Sequence, residues 1–221
     1  TPMKRLMLLL VLALFTGCEI EIETDFDFNK EKKDAELKAA ALEADIERKA
    51  EAQVAYDKGM EFSTAKDWDH AIEYYTVAID LDPESSRAFF GRGIAQGGSG
   101  EFSKAIEDLS EAIKIDPDYH DAYRFRASAY GTSGNYDAAV NDFSEAIRIE
   151  PENPASYYSR GVKYSRMGKY KRAVSDFSEA IRLKTANPLV YLLRGYVYHE
   201  QGEAEKAKAD FEVARSMGLV R

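Results

Sequence analysis

The sequence repeats itself every 34 residues, and this period constrains the fold more than any other feature. The stretch DLSEAIKIDP at 108–117 returns as DFSEAIRIEP at 142–151 and as DFSEAIRLKT at 176–185. The prolines and glycines typical of helix ends and turns recur at the same interval: Pro83, Pro117 and Pro151, and Gly100, Gly134, Gly168 and Gly202. A period of this length indicates stacked copies of one small unit. Five units are visible, over 52–85, 86–119, 120–153, 154–187 and 188–221.

Each unit has the pattern of two antiparallel helices that cross closely. Small residues mark the crossing: Gly or Ala at 59, 93, 127, 161 and 195, and Ala at 71, 105, 139, 173 and 207. Larger residues around them are interpreted as core and not as a cofactor site: Phe89, Tyr123, Tyr157 and Tyr191 in first helices, and Tyr75, Leu109, Phe143, Phe177 and Phe211 in second helices. A proline ends the second helix, because the residue before proline avoids helical geometry.

These repeated letters resemble the tetratricopeptide repeat family, and the resemblance covers residues 52–221. It implies an all-α fold, a right-handed α-solenoid of five helix-turn-helix repeats. In that family the first helices line a concave groove that binds a segment of a partner protein. Carried over position by position, the groove residues are Tyr56, Met60, Phe90, Ile94, Arg124, Ser128, Tyr158, Val162, Leu192 and Tyr196. The Lys/Asn/Arg set by which some members clamp a C-terminal carboxylate does not occur at these positions.

Two charged columns follow the same period. They are Arg92, Arg126, Arg160 and Arg194 in first helices, and Asp108, Asp142, Asp176 and Asp210 in second helices. One interpretation is an arginine ladder for an anionic ligand, and the other is an internal pair within each repeat. We favour the internal pair because every arginine has its own carboxylate at the same level of the helix pair.

The second helices also carry Ile or Val on the side that should pack against the next repeat. In the fifth unit, those two positions are Lys208 and Arg215. A polar face is what a terminal repeat requires. We therefore expect the fifth unit to be the end of the solenoid.

The N-terminal region predicts export. Met3, Lys4 and Arg5 precede an apolar run from Leu6 to Phe15, which is too short to span a membrane and typical of a signal peptide. The following LFTGC resembles the lipobox of bacterial lipoproteins, and this resemblance implies a signal peptide over 3–17 and acyl chains on Cys18, the only cysteine. The alternative is a chance cysteine near an ordinary cleavage site. The resemblance implies a protein anchored by lipid in a bacterial cell envelope, facing the periplasm or the cell exterior.

Residues 18–51 are interpreted as a lipidated acidic tether followed by a charged helix. The alternation in EIEIETDFDF, residues 19–28, fits either an extended, self-repelling tether or an edge strand. Residues 29–51 are rich in Ala, Glu, Lys and Leu and lack a sustained apolar seam, so a solvated helix is favoured over a coiled coil. Alternatively, this helix folds back to fill the groove or to cover the first repeat.

The sequence does not indicate catalysis. The net charge of −9 opposes binding to nucleic acid. His70, His120 and His199 have no spacing typical of metal ligands, and no phosphate loop or nucleophile motif is present. We therefore predict no enzyme activity, no cofactor and no metal site.

The predicted function is that of an adaptor that binds a protein or peptide partner in the groove. A self-associating structural role is the main alternative, because Leu189, Leu192 and Leu193 cluster where a second copy could dock as a homodimer. An enzyme or a small-molecule binder is the third class considered.

Overall fold

The computed structural model describes residues 28–219, with side chains from residue 32 onward. The predicted signal peptide, the lipid attachment at Cys18 and the alternating stretch up to residue 27 lie outside the described residues. The described residues fall into two compact units, one ending at Ile46 and the other beginning at Glu47.

Ten α-helices make up the described part of the chain, which contains no strand. They are α1 (Phe28–Thr64), α2 (Trp68–Leu81), α3 (Ser86–Ser99), α4 (Phe102–Ile115), α5 (His120–Thr132), α6 (Tyr136–Ile149), α7 (Pro154–Arg166), α8 (Tyr170–Arg182), α9 (Leu189–Glu200) and α10 (Ala204–Ser216). The predicted all-α repeat fold is confirmed. The helix predicted over 29–51 is also confirmed, as the first part of α1, which continues to Thr64 without a break.

Local sequence explains where the helices begin and end. Asp67, Ser85 and Asn135 each accept a backbone N–H of the helix that follows them, which satisfies one of its free donors. The turn inside each of the last four repeats uses a glycine with positive φ, such as Gly134 at φ 81°. At the equivalent place in the first repeat the residue is Lys66, with φ 59°.

Within a repeat, a small residue on the first helix faces a large one on the second. A Cβ on Gly93 would lie 2.9 Å from Cγ of Leu109, so only glycine leaves room for that side chain at this crossing. Phe143 and Phe177 are fully buried, as predicted for core. The four aromatic residues of the first helices are only half-buried: Phe89, Tyr123, Tyr157 and Tyr191.

Successive repeats pack through the Ile/Val side of each second helix. Ile79 shares a buried cluster with Ala88 of the next repeat, and Ile113 does so with Ala122. On α10 the corresponding Lys208 and Arg215 are exposed. The prediction of a polar face on the fifth second helix is therefore confirmed.

Candidate partner-binding surface

The arginine and aspartate columns form internal pairs in all four repeats that carry them. In the third repeat, Nε and Nη2 of Arg126 each donate to the Asp142 carboxylate at 2.8 Å. The other three pairs have the same two-bond geometry: Arg92–Asp108, Arg160–Asp176 and Arg194–Asp210. Because the aspartates are buried and the guanidinium groups already donate to them, these arginines are not a ladder for an anionic ligand.

Each arginine also reaches the preceding repeat, a contact that the sequence interpretation missed. Nη1 of Arg126 donates to Ser110 Oγ on α4 at 2.9 Å, and Ser110 in turn donates to the Ile106 carbonyl. The acceptors recur every 34 residues: Thr76, Ser110, Ser144 and Ser178. The 34-residue spacing of these hydroxyl side chains could have revealed the contact in the sequence. The pair thus links three helices, two in its own repeat and one in the repeat before.

The first repeat lacks this pair. Lys58 and Tyr74 stand at the two positions, and the ammonium of Lys58 lies 5.3 Å from the centre of the Tyr74 ring. A cation over an aromatic face replaces the ion pair at this end of the repeat array.

The predicted groove residues of the first three repeats have different surroundings. Tyr56 and Phe90 are half-buried against other aromatic rings, whereas Met60 is 46% exposed. Ile94 and Ser128 line one apolar pocket together with side chains of neighbouring second helices. Arg124 lies one turn before Ser128 on α5.

The apolar pocket has a volume of about 270 Å³. Its large lining side chains are Trp68, Ile94, Phe102, Leu109 and Phe125, and we use "apolar pocket" for the space that they enclose with the small residues of α3 and α5. It exists because α3 carries glycines here. A Cβ on Gly97 would meet only the Ala105 Cβ, at 3.9 Å, and a Cβ on Gly98 would lie 2.7 Å from the Trp68 ring.

Three basic side chains neighbour residues of the pocket or one another, and we call them the cationic cluster. Arg124 directly precedes the lining residue Phe125, Lys163 contacts Gly131 next to the lining residue Thr132, and the charge of Arg166 acts on Lys163. Nζ of Lys163 lies 2.6 Å from the place that a Cβ on Gly131 would take, so its side chain extends from α7 onto α5. Partial burial and, secondarily, the nearby Arg166 charge lower the pKa of Lys163. The sequence interpretation named only Arg124, because position 163 is not one of the groove positions carried over from the family.

The predicted groove continues over the last two repeats. Tyr158, Val162 and Leu192 are half-buried, and burial raises the pKa of Tyr158. Tyr196 is 55% exposed although its ring contacts Phe211 at a centroid distance of 5.2 Å.

The three leucines proposed as a docking surface for a second copy do not share one environment. Leu193 packs against a buried cluster that includes Phe177 and Val190, whereas Leu189 is 39% exposed.

The histidines are in separate surroundings. His120 is buried, with Nε2 3.3 Å from Ser156 Oγ, and His70 lies 2.8 Å from the Asp67 carboxylate, which raises the pKa of His70. Within residues 32–219, no three His, Cys, Asp or Glu side chains converge as a metal ion needs. None of the helices in the described part of the chain combines the length and the apolar character that a membrane crossing requires.

Comparisons with known proteins agree with this architecture. A family model described as "TPR repeat" matches residues 98–134, 127–168 and 163–202. Residues 98–202 therefore match tetratricopeptide repeats. A search of curated proteins finds no match.

Several solved structures are similar to the chain. The MamA protein is 25% identical with a TM-score of 0.70, over 75% of this chain and 91% of that one. MamA from Desulfovibrio magneticus RS-1 is 14% identical with a TM-score of 0.71, over 76% and 94%. YrrB, described as a TPR protein with an unusual peptide-binding site, is 16% identical with a TM-score of 0.67, over 80% and 91%. The last two likenesses concern the fold.

Proposed function

We propose that this protein is a non-catalytic adaptor that binds a segment of a partner protein on the surface formed by its first helices. The observation that carries the proposal is the apolar pocket, to which the first helices of the second and third repeats contribute Ile94, Phe125 and Ser128. An exposed apolar site rimmed by polar groups is typical of a protein interaction surface. The fold shared with YrrB, for which a peptide-binding site is described, is in keeping with this role.

We also propose that the adaptor is anchored by lipid on Cys18 in a bacterial cell envelope and faces the periplasm or the cell exterior. The support is the sequence alone, namely the basic and apolar stretch at 3–15 and the LFTGC that follows it. Replacing Cys18 with Ser should abolish incorporation of a labelled fatty acid and release the protein from the membrane fraction. Unchanged lipid labelling of the Cys18→Ser protein would exclude this anchor.

In-cell photo-crosslinking tests the adaptor function. A photoreactive amino acid at Ser128, which is exposed at the edge of the apolar pocket, should capture a distinct protein. The same amino acid at Arg148, which is exposed on the second helix α6, is the matched control. The Ser128 adduct should disappear when Gly97→Leu fills the pocket. Identical adducts from both sites, or none from Ser128, would count against an adaptor that uses this surface.

A second copy of the chain is the alternative partner, and the exposed Leu189 and Tyr196 on α9 favour it. Sedimentation equilibrium of the protein should then show a dimer that Leu189→Glu dissociates. A monomer at the highest attainable concentration would exclude this assembly.

A further inference from the structure

We infer that the bound segment is an extended peptide in which one large apolar side chain, aromatic or leucine, is flanked within about three residues by aspartate or glutamate. This inference rests on the proposed adaptor function and adds the chemistry of the partner. Two independent features carry it, the apolar pocket and the cationic cluster.

The dimensions and lining of the apolar pocket favour a side chain over a free ligand. Its volume of about 270 Å³ lies below the roughly 300 to 1,000 Å³ of ordinary small-molecule sites. Three of its large lining side chains are aromatic: Trp68, Phe102 and Phe125. A pocket of this kind stabilises one bulky apolar group, which is how partner proteins anchor a segment.

The cationic cluster supplies the preference for acid. Lys163 and Arg166 form no ion pair with the described residues, and Nε of Arg124 is a buried donor without an acceptor. The one acidic contact in the cluster is between Arg124 and Asp121, whose carboxylate accepts from Nη1 at 2.8 Å. The chain as a whole has a net charge of −9, so these three cations differ in sign from the overall charge of the protein. A carboxylate of the partner would provide the acceptor that the chain itself does not.

The two features are close enough for one short peptide to contact both. Thr132 lines the apolar pocket, and the residue before it, Gly131, is the one against which Lys163 Nζ lies. Arg124 precedes the pocket residue Ser128 by one helical turn, about 5.4 Å along the axis. An extended peptide advances about 3.3 Å per residue, so acidic residues one to three positions from the anchor reach these cations.

A peptide titration tests the inference directly. The probe is the synthetic peptide GDEFDEDG, added to the full 221-residue protein. Trp68 is the only tryptophan in the chain and lines the pocket, so its emission reports binding at the site. We expect saturable binding that weakens as salt increases, because the charged contacts are screened. The peptides GDEADEDG and GKKFKKKG, which lack the anchor or reverse the charge, should each bind at least about tenfold more weakly.

Two variants assign the binding to the two features. Gly97→Leu occupies the pocket and is compatible with folding, since the site is helical and a Cβ there meets no close atom; it should weaken binding by about tenfold or more. Lys163→Met keeps the apolar stem and should weaken binding about threefold to tenfold. Lys171→Met, exposed on the second helix α8, should leave it unchanged.

Equal binding of the acidic and basic peptides would overturn the charge preference, and full binding by Gly97→Leu would overturn the anchor. Both outcomes are distinguishable from failure of the adaptor function. If crosslinking from Ser128 still captures a partner, the surface is used and only the inferred peptide chemistry is wrong. If neither peptide nor partner binds, the adaptor function fails as well.

Discussion

Arg126 illustrates how a single side chain fixes the register of neighbouring helices. It donates twice to Asp142 and once to Ser110, and its guanidinium lies 5.6 Å from the centre of the Tyr123 ring. Such a two-bond pair between an arginine and a carboxylate is directional as well as strong. Because the carboxylate is buried, its loss of a partner has a large energetic consequence.

Replacing Arg126 with Met should lower the free energy of unfolding by about 3 kcal/mol, because it leaves the Asp142 carboxylate buried and unpaired. Urea denaturation followed by circular dichroism measures the change. Arg148→Met is the control, since the Arg148 pairs with Glu145 and Asp118 are exposed, and its expected effect is much smaller. Adding Asp142→Leu to Arg126→Met should recover part of the loss. Equal stabilities of the two single variants would refute the importance of this pair.

Lys163 should destabilise the folded protein, unlike Arg126, and by an amount that depends on pH. Its pKa is lowered in the folded protein, so holding it charged there costs free energy at neutral pH. This cost falls as the pH rises through the folded pKa and is absent above the unfolded value of about 10.4. Lys163→Met should therefore raise the melting temperature at pH 7, with a smaller gain in alkaline solution. The exposed Lys171→Met should show neither effect, and a lower melting temperature for Lys163→Met at pH 7 would contradict the assignment.

At the residue scale, the ion pairs between repeated columns could be predicted from the sequence, whereas Lys163 could not. The Arg/Asp pairs could be inferred because both columns keep the 34-residue period. Lys163 could not, since its position is Glu61, Ala95, Ala129 and Val197 in the other repeats and its reach to Gly131 depends on packing.

The turns between paired helices show how an element boundary depends on one backbone conformation. Gly100, Gly134, Gly168 and Gly202 all have positive φ, which L-residues adopt at a cost of about 1 to 2 kcal/mol. In the first repeat Lys66 adopts this conformation with φ 59°. The sequence predicts a turn at Lys66 but not its strained backbone. That lysine replaces glycine in the first repeat is visible in the sequence, whereas the positive φ of Lys66 is not.

Lys66→Gly should raise the free energy of unfolding by about 0.5 to 1 kcal/mol, since the relief of strain exceeds the greater flexibility of glycine in the unfolded chain. The reciprocal change, Gly134→Lys, should lower it by about 1 kcal/mol. Both are measured by urea denaturation. Opposite signs for the two variants are the expected result, and destabilisation by Lys66→Gly would show that the lysine side chain contributes more than its backbone costs.

Helix α1 shows that the repeat period does not fix every helix boundary. The repeat begins at residue 52, so the sequence predicts a charged helix up to residue 51 and a first repeat after it. The structure has one helix from Phe28 to Thr64. Good helix formers continue across the junction without proline or glycine, and local propensity therefore extends the helix past the boundary that the repeat pattern suggests.

In the molecule as a whole, stability and solubility depend on what each repeat presents to the next. The apolar positions of one second helix pack against the first helix of the following repeat, as with Ile113 and Ala122. This order was predictable from the sequence because the same two positions are Ile or Val in four units. The apolar pocket was not, since it forms where α2, α3, α4 and α5 meet and where Gly97 and Gly98 leave space.

Converting the polar face of α10 into the repeated apolar one should make the protein associate. Lys208 and Arg215 are exposed at the positions that Ile106 and Ile113 occupy on α4, and Lys208→Ile with Arg215→Ile would present two isoleucines to water. Burying such side chains contributes about 1.5 to 3 kcal/mol each, which favours contact with another copy. Sedimentation velocity should show concentration-dependent oligomers of the double variant.

The control for this association places the same two side chains elsewhere on α10. Lys206 and Ala209 are exposed on the side of the helix away from Lys208. Lys206→Ile with Ala209→Ile adds similar apolar surface without recreating the interface between repeats, so it should associate far less than Lys208→Ile with Arg215→Ile. Equal association of the two double variants would attribute the effect to added hydrophobicity alone, whereas a difference would show that the repeat interface directs it.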